Sequence, residues 1–241
     1  PYGLSVAKNT EDILTSINNH VTFDDTQKPN QTHSDYTTYD ISCNEDFALH
    51  AKHHKWEKIF TFFKDHPNAM GSFATKYVNY DLIKFNPQGK IRIRFSLMPQ
   101  HKSDIHEPNT SKIIDRIKAI DKFIDAGYDV HVNFSPIIVY NGWLEDYKYL
   151  FSMMNKYVDN KENVLAECIF LTHNFSRHTY NLDDNPKSEI DLWVPSIQED
   201  KISQYGGVNR RYNRKLKYQY IKDFTKLHDR IIPWNKIRYI F

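Results

Sequence analysis

The fold is decided by three consecutive stretches: "KIRIRFSLMP" (90–99), "TSKIIDRIKAIDKFIDAG" (110–127) and "DVHVNFSPIIVY" (129–140). In the first, Ile91, Ile93, Phe95 and Leu97 recur with the two-residue period of a strand. The second reads as a helix that stops at Gly127, and the third as another strand. The same rhythm extends in both directions. Upstream lie a helix at "TEDILTSINNHV" (10–21, capped by Thr10), a strand at about 36–43, an aromatic helix "HKWEKIFTFFKDH" (54–66) and a short strand "GSFATKYV" (71–78). Downstream come a helix "WLEDYKYLFSMMNKYV" (143–158) and a strand "VLAECIFLTH" (164–173). A less regular region at about 174–211 precedes a basic helix and a closing strand, "KIRYIF" (236–241). Alternation of helix and strand from Thr10 to Val164 implies parallel strands joined by helical crossovers, an α/β architecture that is either an open sheet or a barrel.

Composition limits the function. The chain has 241 residues, 40% of them hydrophobic, a globular composition that suits one domain over 1–241. No apolar run approaches the roughly 20 residues that span a bilayer, so no membrane role is expected. Two cysteines cannot build a disulfide framework and point to a reducing, cytoplasmic setting. Net charge is +2, yet "NRRYNRKLKYQYIK" concentrates basic and aromatic residues near the C-terminus. The opening at Pro1, without methionine, leads us to expect a missing upstream segment.

In both α/β arrangements, ligands gather at the C-terminal ends of the strands. Polar residues stand there: Cys43, Asn44, Glu45 and Asp46, then Lys76, Ser96, Ser135 and His173. One alone means little, because loops begin where strands end; several at successive ends point to a site. No P-loop, dinucleotide fingerprint or nucleophile elbow occurs. The 12 histidines form no zinc-like cluster with cysteine, so "HAKHH" (50–54) and "HNFSRH" (173–178) are assigned structural or exposed roles, and no metal ligands are expected in this chain. Acids at 45 and 46 would raise a thiol's pKa at Cys43, disfavouring a thiolate nucleophile and leaving a neutral S–H that can donate a hydrogen atom. Cys168, inside "AECIFL", reads as a core thiol.

The sequence resembles the spore photoproduct lyase family of radical SAM enzymes. The resemblance rests on "FATKYVNYDLI" (73–83), "GKIRIRFSLMP" (89–99), "EPNTSKIIDRIKAIDKFIDAGY" (107–128), "GYDVHVNFSPIIVYNGWLEDYKYLF" (127–151) and "IPWNKIRYIF" (232–241). It implies a partial (β/α)6 barrel binding S-adenosylmethionine (SAM) and a [4Fe–4S] cluster, and a 5′-deoxyadenosyl radical acting on a thymine-dimer lesion in DNA. An electron donor such as flavodoxin or ferredoxin is the implied partner. By position, Cys43 takes the hydrogen-donor role; Glu45, Asp46, Lys76 and Ser96 take SAM-binding roles; and Arg210, Arg211 and Tyr212 fall near the lesion contacts. The family's CxxxCxxC cluster motif is absent, so cluster ligands are expected upstream of Pro1 and the chain alone is expected to be inactive. Two other readings remain: a non-catalytic nucleic-acid-binding protein on this scaffold, and a thiol hydrolase using Cys43 with a histidine.

Overall fold

The computed structural model describes residues 9–21, 32–41, 45–202 and 206–241. Cys43 and Tyr205 lie outside the described residues. Six strands form one sheet, all pairs parallel, in the order β1 (Thr37–Asp40), β2 (Ala69–Thr75), β3 (Ile91–Ser96), β4 (Asp129–Ile137), β5 (Leu165–Phe170) and β9 (Ile237–Ile240). The sheet curls into a half-barrel, which resolves the open alternative left by the sequence in favour of the barrel.

Helices α1 (Thr10–His20), α2 (Phe47–His50), α3 (Trp56–Asp65), α4 (Gln100–His106), α5 (Ile113–Asp125) and α6 (Trp143–Tyr157) fall between these strands or, for α1, before them. Thr10 is the first helical residue of α1, with Asn9 preceding it, so it is not the cap. On α5, Ile113, Ile117, Ile120 and Phe123 are buried, and Phe123 meets Phe95 of β3 edge-on at 5.3 Å. Gly127 ends that helix at φ +91°, where the Tyr128 N–H reaches back to the Phe123 carbonyl. A side chain there would also collide with Asn86 Oδ1, 2.2 Å from an added Cβ. None of the described helices is long and apolar enough to cross a membrane.

Strands covered on both faces normally read as continuous apolar runs. Here β3 is "IRIRFS", and all six residues are buried. Ile91, Ile93 and Phe95 belong to the apolar core, while Arg92 and Arg94 lie on the opposite, concave face. That face is an ionic lattice. Arg94 meets Asp40 at 2.7 Å and Glu167 at 3.5 Å; Arg92 meets Asp129 at 2.7 Å; Arg238 meets Glu167 at 2.7 Å. The inside of this half-barrel is therefore charged but internally paired, which is how buried ions are tolerated.

Residues 172–212 are more regular than their sequence suggests. Strands β6 (Thr172–Asn174), β7 (Gln198–Ile202) and β8 (Val208–Tyr212) form an antiparallel sheet in the order β6-β8-β7, with α7 (Phe175–Asp184) and α8 (Pro186–Leu192) between β6 and β7. The run 164–173 is thus two strands in different sheets. Helix α9 (Arg214–Ile231) returns the chain to the barrel, stacking Phe224 among Trp143, Tyr147 and Phe151 of α6.

Candidate functional site

Of the polar residues expected at the strand ends, Asp46, Lys76 and Ser96 are joined through hydrogen bonds and ion pairs, whereas Ser135 lies within β4 and His173 within β6. Asp46 follows β1 and uses both carboxylate oxygens: Oδ1 accepts from the Thr75 hydroxyl (2.7 Å) and from the Leu49 N–H (3.2 Å), capping α2, and Oδ2 accepts from the Lys76 N–H (2.7 Å). It pins the loop after β1 to the end of β2. The neighbouring Glu45 has His50 Nδ1 at 3.1 Å and His54 Nε2 at 2.8 Å. The i, i+4 histidines of "HAKHH" do converge, although α2 ends at His50 and a short 3-10 turn carries the chain on to His54.

Lys76 holds its ammonium 3.8 Å from Glu107 Oε1 and remains 41% exposed. Glu107 is buried, and its other oxygen accepts from Arg116 Nη1 at 2.8 Å. Arg116 is fully buried; it also donates to the Ser96 carbonyl (2.8 Å), the Ser111 carbonyl (2.9 Å) and the Thr110 hydroxyl (2.6 Å). Ser96 closes β3 and pairs in register with Asn133, Asn133 with Glu167, and Glu167 with Tyr239. These residues share one rung at the C-terminal part of the sheet. Two buried acceptors in the network, Asn133 Oδ1 and Glu107 Oε1, have no hydrogen-bond partner. Unpartnered buried acceptors are rare in folded proteins and mark places where a ligand donor fits.

The structure therefore brings Glu45, Asp46, Lys76 and Ser96 together. Glu107, Arg116 and Asn133 were not foreseen from the sequence. Arg116 had left a sign, since it shares the α5 face of Ile113, Ile117 and Ile120, where an arginine has to be paired to be buried. A cavity of about 860 Å³ lined by Arg92, Asp129, His131 and Arg238 lies toward the opposite, N-terminal end of the strands and meets this rung through the Arg238–Glu167 ion pair.

The basic tail is placed less uniformly. Arg210 lies over the Trp193 ring (4.4 Å) and meets Asp200 at 3.0 Å; Arg211 meets Glu199 at 2.8 Å. Tyr212 is 1% exposed, packs against Phe170 and Tyr220, and accepts the Val139 N–H at its hydroxyl (2.8 Å), so its ring offers no open face to a base. Tyr218 is 73% exposed beside a groove lined by Arg211, Arg214, Lys215 and Lys217. Partial burial, and then the positive charges of Arg211 and Lys201, hold Lys217 below the ordinary lysine pKa. Cys168 is buried in β5, and burial pushes its thiol far up, as expected of a core cysteine.

A family model described as spore photoproduct lyase matches residues 1–241. The chain is 25% identical over 211 residues to spore photoproduct lyase of Bacillus subtilis (strain 168), covering 85% of this chain and 61% of that protein. It is 24% identical over 245 residues to the enzyme of Geobacillus sp. (strain Y412MC61), covering 99% and 68%. The chain thus spans about three fifths to two thirds of the length of these relatives. Among solved structures, a spore photoproduct lyase double mutant with bound AdoMet and dinucleoside spore photoproduct superposes with a TM-score of 0.86 at 21% identity, over 98% of this chain and 68% of the other. A spore photoproduct lyase complexed with dinucleoside spore photoproduct gives 0.85 at 22%, with the same coverage. At that identity the solved structures speak for the fold, and the match along the whole sequence speaks for descent: the chain belongs to the spore photoproduct lyase family.

Proposed function

We propose that this chain is the barrel body of a radical SAM enzyme that repairs or modifies a nucleic-acid base, a thymine-dimer lesion being the substrate class. The observation that carries the reading is the strand-end network, with unpartnered acceptors at Asn133 and Glu107 and the partly exposed Lys76 ammonium beside them. SAM offers what they lack: its ammonium, ribose hydroxyls and adenine amino group are donors, and its carboxylate suits an ammonium. The solved relative with bound AdoMet shares this fold. When bound and reduced by one electron, SAM supplies a carbon-centred radical that removes hydrogen from a substrate C–H bond.

The residues of the chain bind and position. Glu45, held between His50 and His54, takes the ammonium group, while Lys76 and Ser96 contact the rest of the cofactor. Asp46 ties the chain beside Glu45 to the end of β2. Cys43 returns hydrogen to the substrate: its S–H bond breaks homolytically, a C–H bond forms, and the unpaired electron stays on sulfur. Arg210, Arg211, Arg214, Lys215 and Lys217 meet phosphates, Tyr218 is free to stack, and the buried Tyr212 fixes the strand carrying the two arginines. Two cysteines, one of them buried, do not fit a [4Fe–4S] cluster, which needs several thiolates. Residues of this chain therefore account for binding, positioning and hydrogen return, not for reduction.

A second reading is a non-catalytic nucleic-acid-binding protein, which the basic groove beside Tyr218 would serve without any cofactor. Fluorescence anisotropy separates the two. A lesion-bearing oligonucleotide is expected to bind at least about tenfold more tightly than its undamaged counterpart, a difference of about 1.4 kcal/mol. Arg214→Ala should lower the salt slope of both by about one. Equal affinities for damaged and undamaged strands would favour the non-catalytic reading.

A further inference from the structure

Residues 172–211 form an appendage with an inverted interior. Up to Arg211 none of its described apolar side chains is fully buried, although Leu192 and Ile197 pack half-buried against the barrel core and Tyr212, the last residue of β8, enters it; the buried side chains are His173, Ser188 and Glu189. Helix α7 buries nothing, and α8 buries only Ser188 and Glu189. Phe175, Tyr180, Leu182, Ile190 and Ile202 are exposed. A small unit without an apolar core needs another staple, usually a disulfide or a metal ion. Neither cysteine of the chain falls in this segment, so a disulfide is excluded there.

At the centre, two imidazoles and a carboxylate meet from three elements. His173 Nε2 of β6 lies 3.1 Å from Glu189 Oε2 of α8, and His178 Nδ1 of α7 lies 2.5 Å from the same oxygen. The potential ligand atoms all lie within 4.8 Å of one another. Trp193 stacks on the His178 ring (centroids 4.2 Å apart, 13° between planes) and stands edge-on to His173 at 5.8 Å, fixing both rings. Asn181 Nδ2 donates to Glu189 Oε1 at 2.5 Å.

We infer that His173, His178 and Glu189 bind one divalent transition-metal ion, zinc by preference, which organises this appendage. Two imidazole nitrogens and one carboxylate oxygen are a donor set for zinc, with a fourth position left to water. Calcium and magnesium prefer oxygen alone. With metal–ligand bonds of about 2.0–2.1 Å, ligand atoms around one tetrahedral centre stand about 3.3 Å apart. His173 and Glu189 are already near that separation, the His178–Glu189 distance has to open by about 0.8 Å, and the two imidazole nitrogens, within 4.8 Å of each other, have to close by no more than about 1.5 Å. Each imidazole would bind through the nitrogen that now faces Glu189, carrying its proton on the other ring nitrogen, and Asn181 would support the carboxylate from outside. The ion would also anchor β8, because His173 pairs in register with Arg210.

The competing account is a buried carboxylate satisfied by three hydrogen-bond donors with no metal. The test loads the full chain with Zn2+, dialyses it against metal-free buffer and measures zinc by elemental analysis, which iron elsewhere does not disturb. About one zinc per chain is expected in the wild type, and little in His178→Ala or Glu189→Gln. Should those variants fail to fold, the wild type alone decides: a chelator must remove the zinc and lower Tm, and Co2+ must give the visible ligand-field bands of a nitrogen–oxygen site. Absence of retained zinc in the wild type overturns the assignment. So does equal retention by the variants, which would place the ion elsewhere.

Discussion

Arg116→Met is expected to destabilise the protein by about 3–5 kcal/mol, the usual cost of breaking a buried ion pair from one side. Methionine replaces the aliphatic stem but leaves Glu107 buried without the guanidinium that neutralises it. The carbonyls of Ser96 and Ser111 lose their donors at the same time. For a chain of this length the loss corresponds to a fall in Tm of about 10 °C. Adding Glu107→Leu should recover most of it, because an apolar pair replaces the ion pair instead of orphaning one member. Urea denaturation midpoints of the two variants check this; a loss under about 1 kcal/mol for the single variant would show that the network does not form in solution.

Glu167→Ala is expected to cost about 3 kcal/mol or more. Glu167 is fully buried and accepts from Arg238 at 2.7 Å and the Tyr239 hydroxyl at 2.8 Å, with Arg94 at 3.5 Å and His131 at 3.9 Å. Its removal leaves Arg94 with Asp40 and Arg238 with Thr32, so the three arginines of the lattice remain with one fewer anion. A pH dependence follows from the same group. Burial would raise its carboxyl, but the nearby His131 imidazole and the Arg94 charge, with the Tyr239 hydroxyl and Arg238, hold it below the ordinary glutamate value. At Asp129, burial likewise opposes, and His131 and Arg92 outweigh it. Carboxyls depressed in the folded state stabilise it fully above their unfolded pKa values of about 4, and this contribution is lost as pH falls through the folded values. Thermal midpoints should therefore drop on acidification below about pH 4, less steeply in Glu167→Ala.

The half-barrel was legible because its elements carry their own periodicity. "KIRIRFSLMP", the α5 helix and "DVHVNFSPIIVY" each declare strand or helix locally, and parallel crossovers follow from their order. What could not be read was the burial of Arg92 and Arg94: alternation looks the same whether the second face meets water or an ionic lattice. Residues 172–211 were unreadable for a related reason, since their short elements bury polar groups and show no apolar period. At the site, Asp46, Lys76 and Ser96 were visible as strand-end polar residues, and the fold links all three. Glu107 and Asn133 become distinctive only through one oxygen each, Oε1 and Oδ1, that has no hydrogen-bond partner, and that is a property of packing. His173, His178 and Glu189 are spaced along the chain in no metal-binding pattern, and only tertiary structure gathers them.

The most direct test of the account is equilibrium dialysis of labelled SAM against the chain, with Lys76→Ala and Asn133→Ala alongside. The account predicts saturable binding of about one SAM per chain, weakened by about tenfold or more in each variant, since each loses a charged or otherwise unpaired hydrogen-bond partner worth about 1.5–3 kcal/mol. No saturable binding, or binding indifferent to both substitutions, would contradict it.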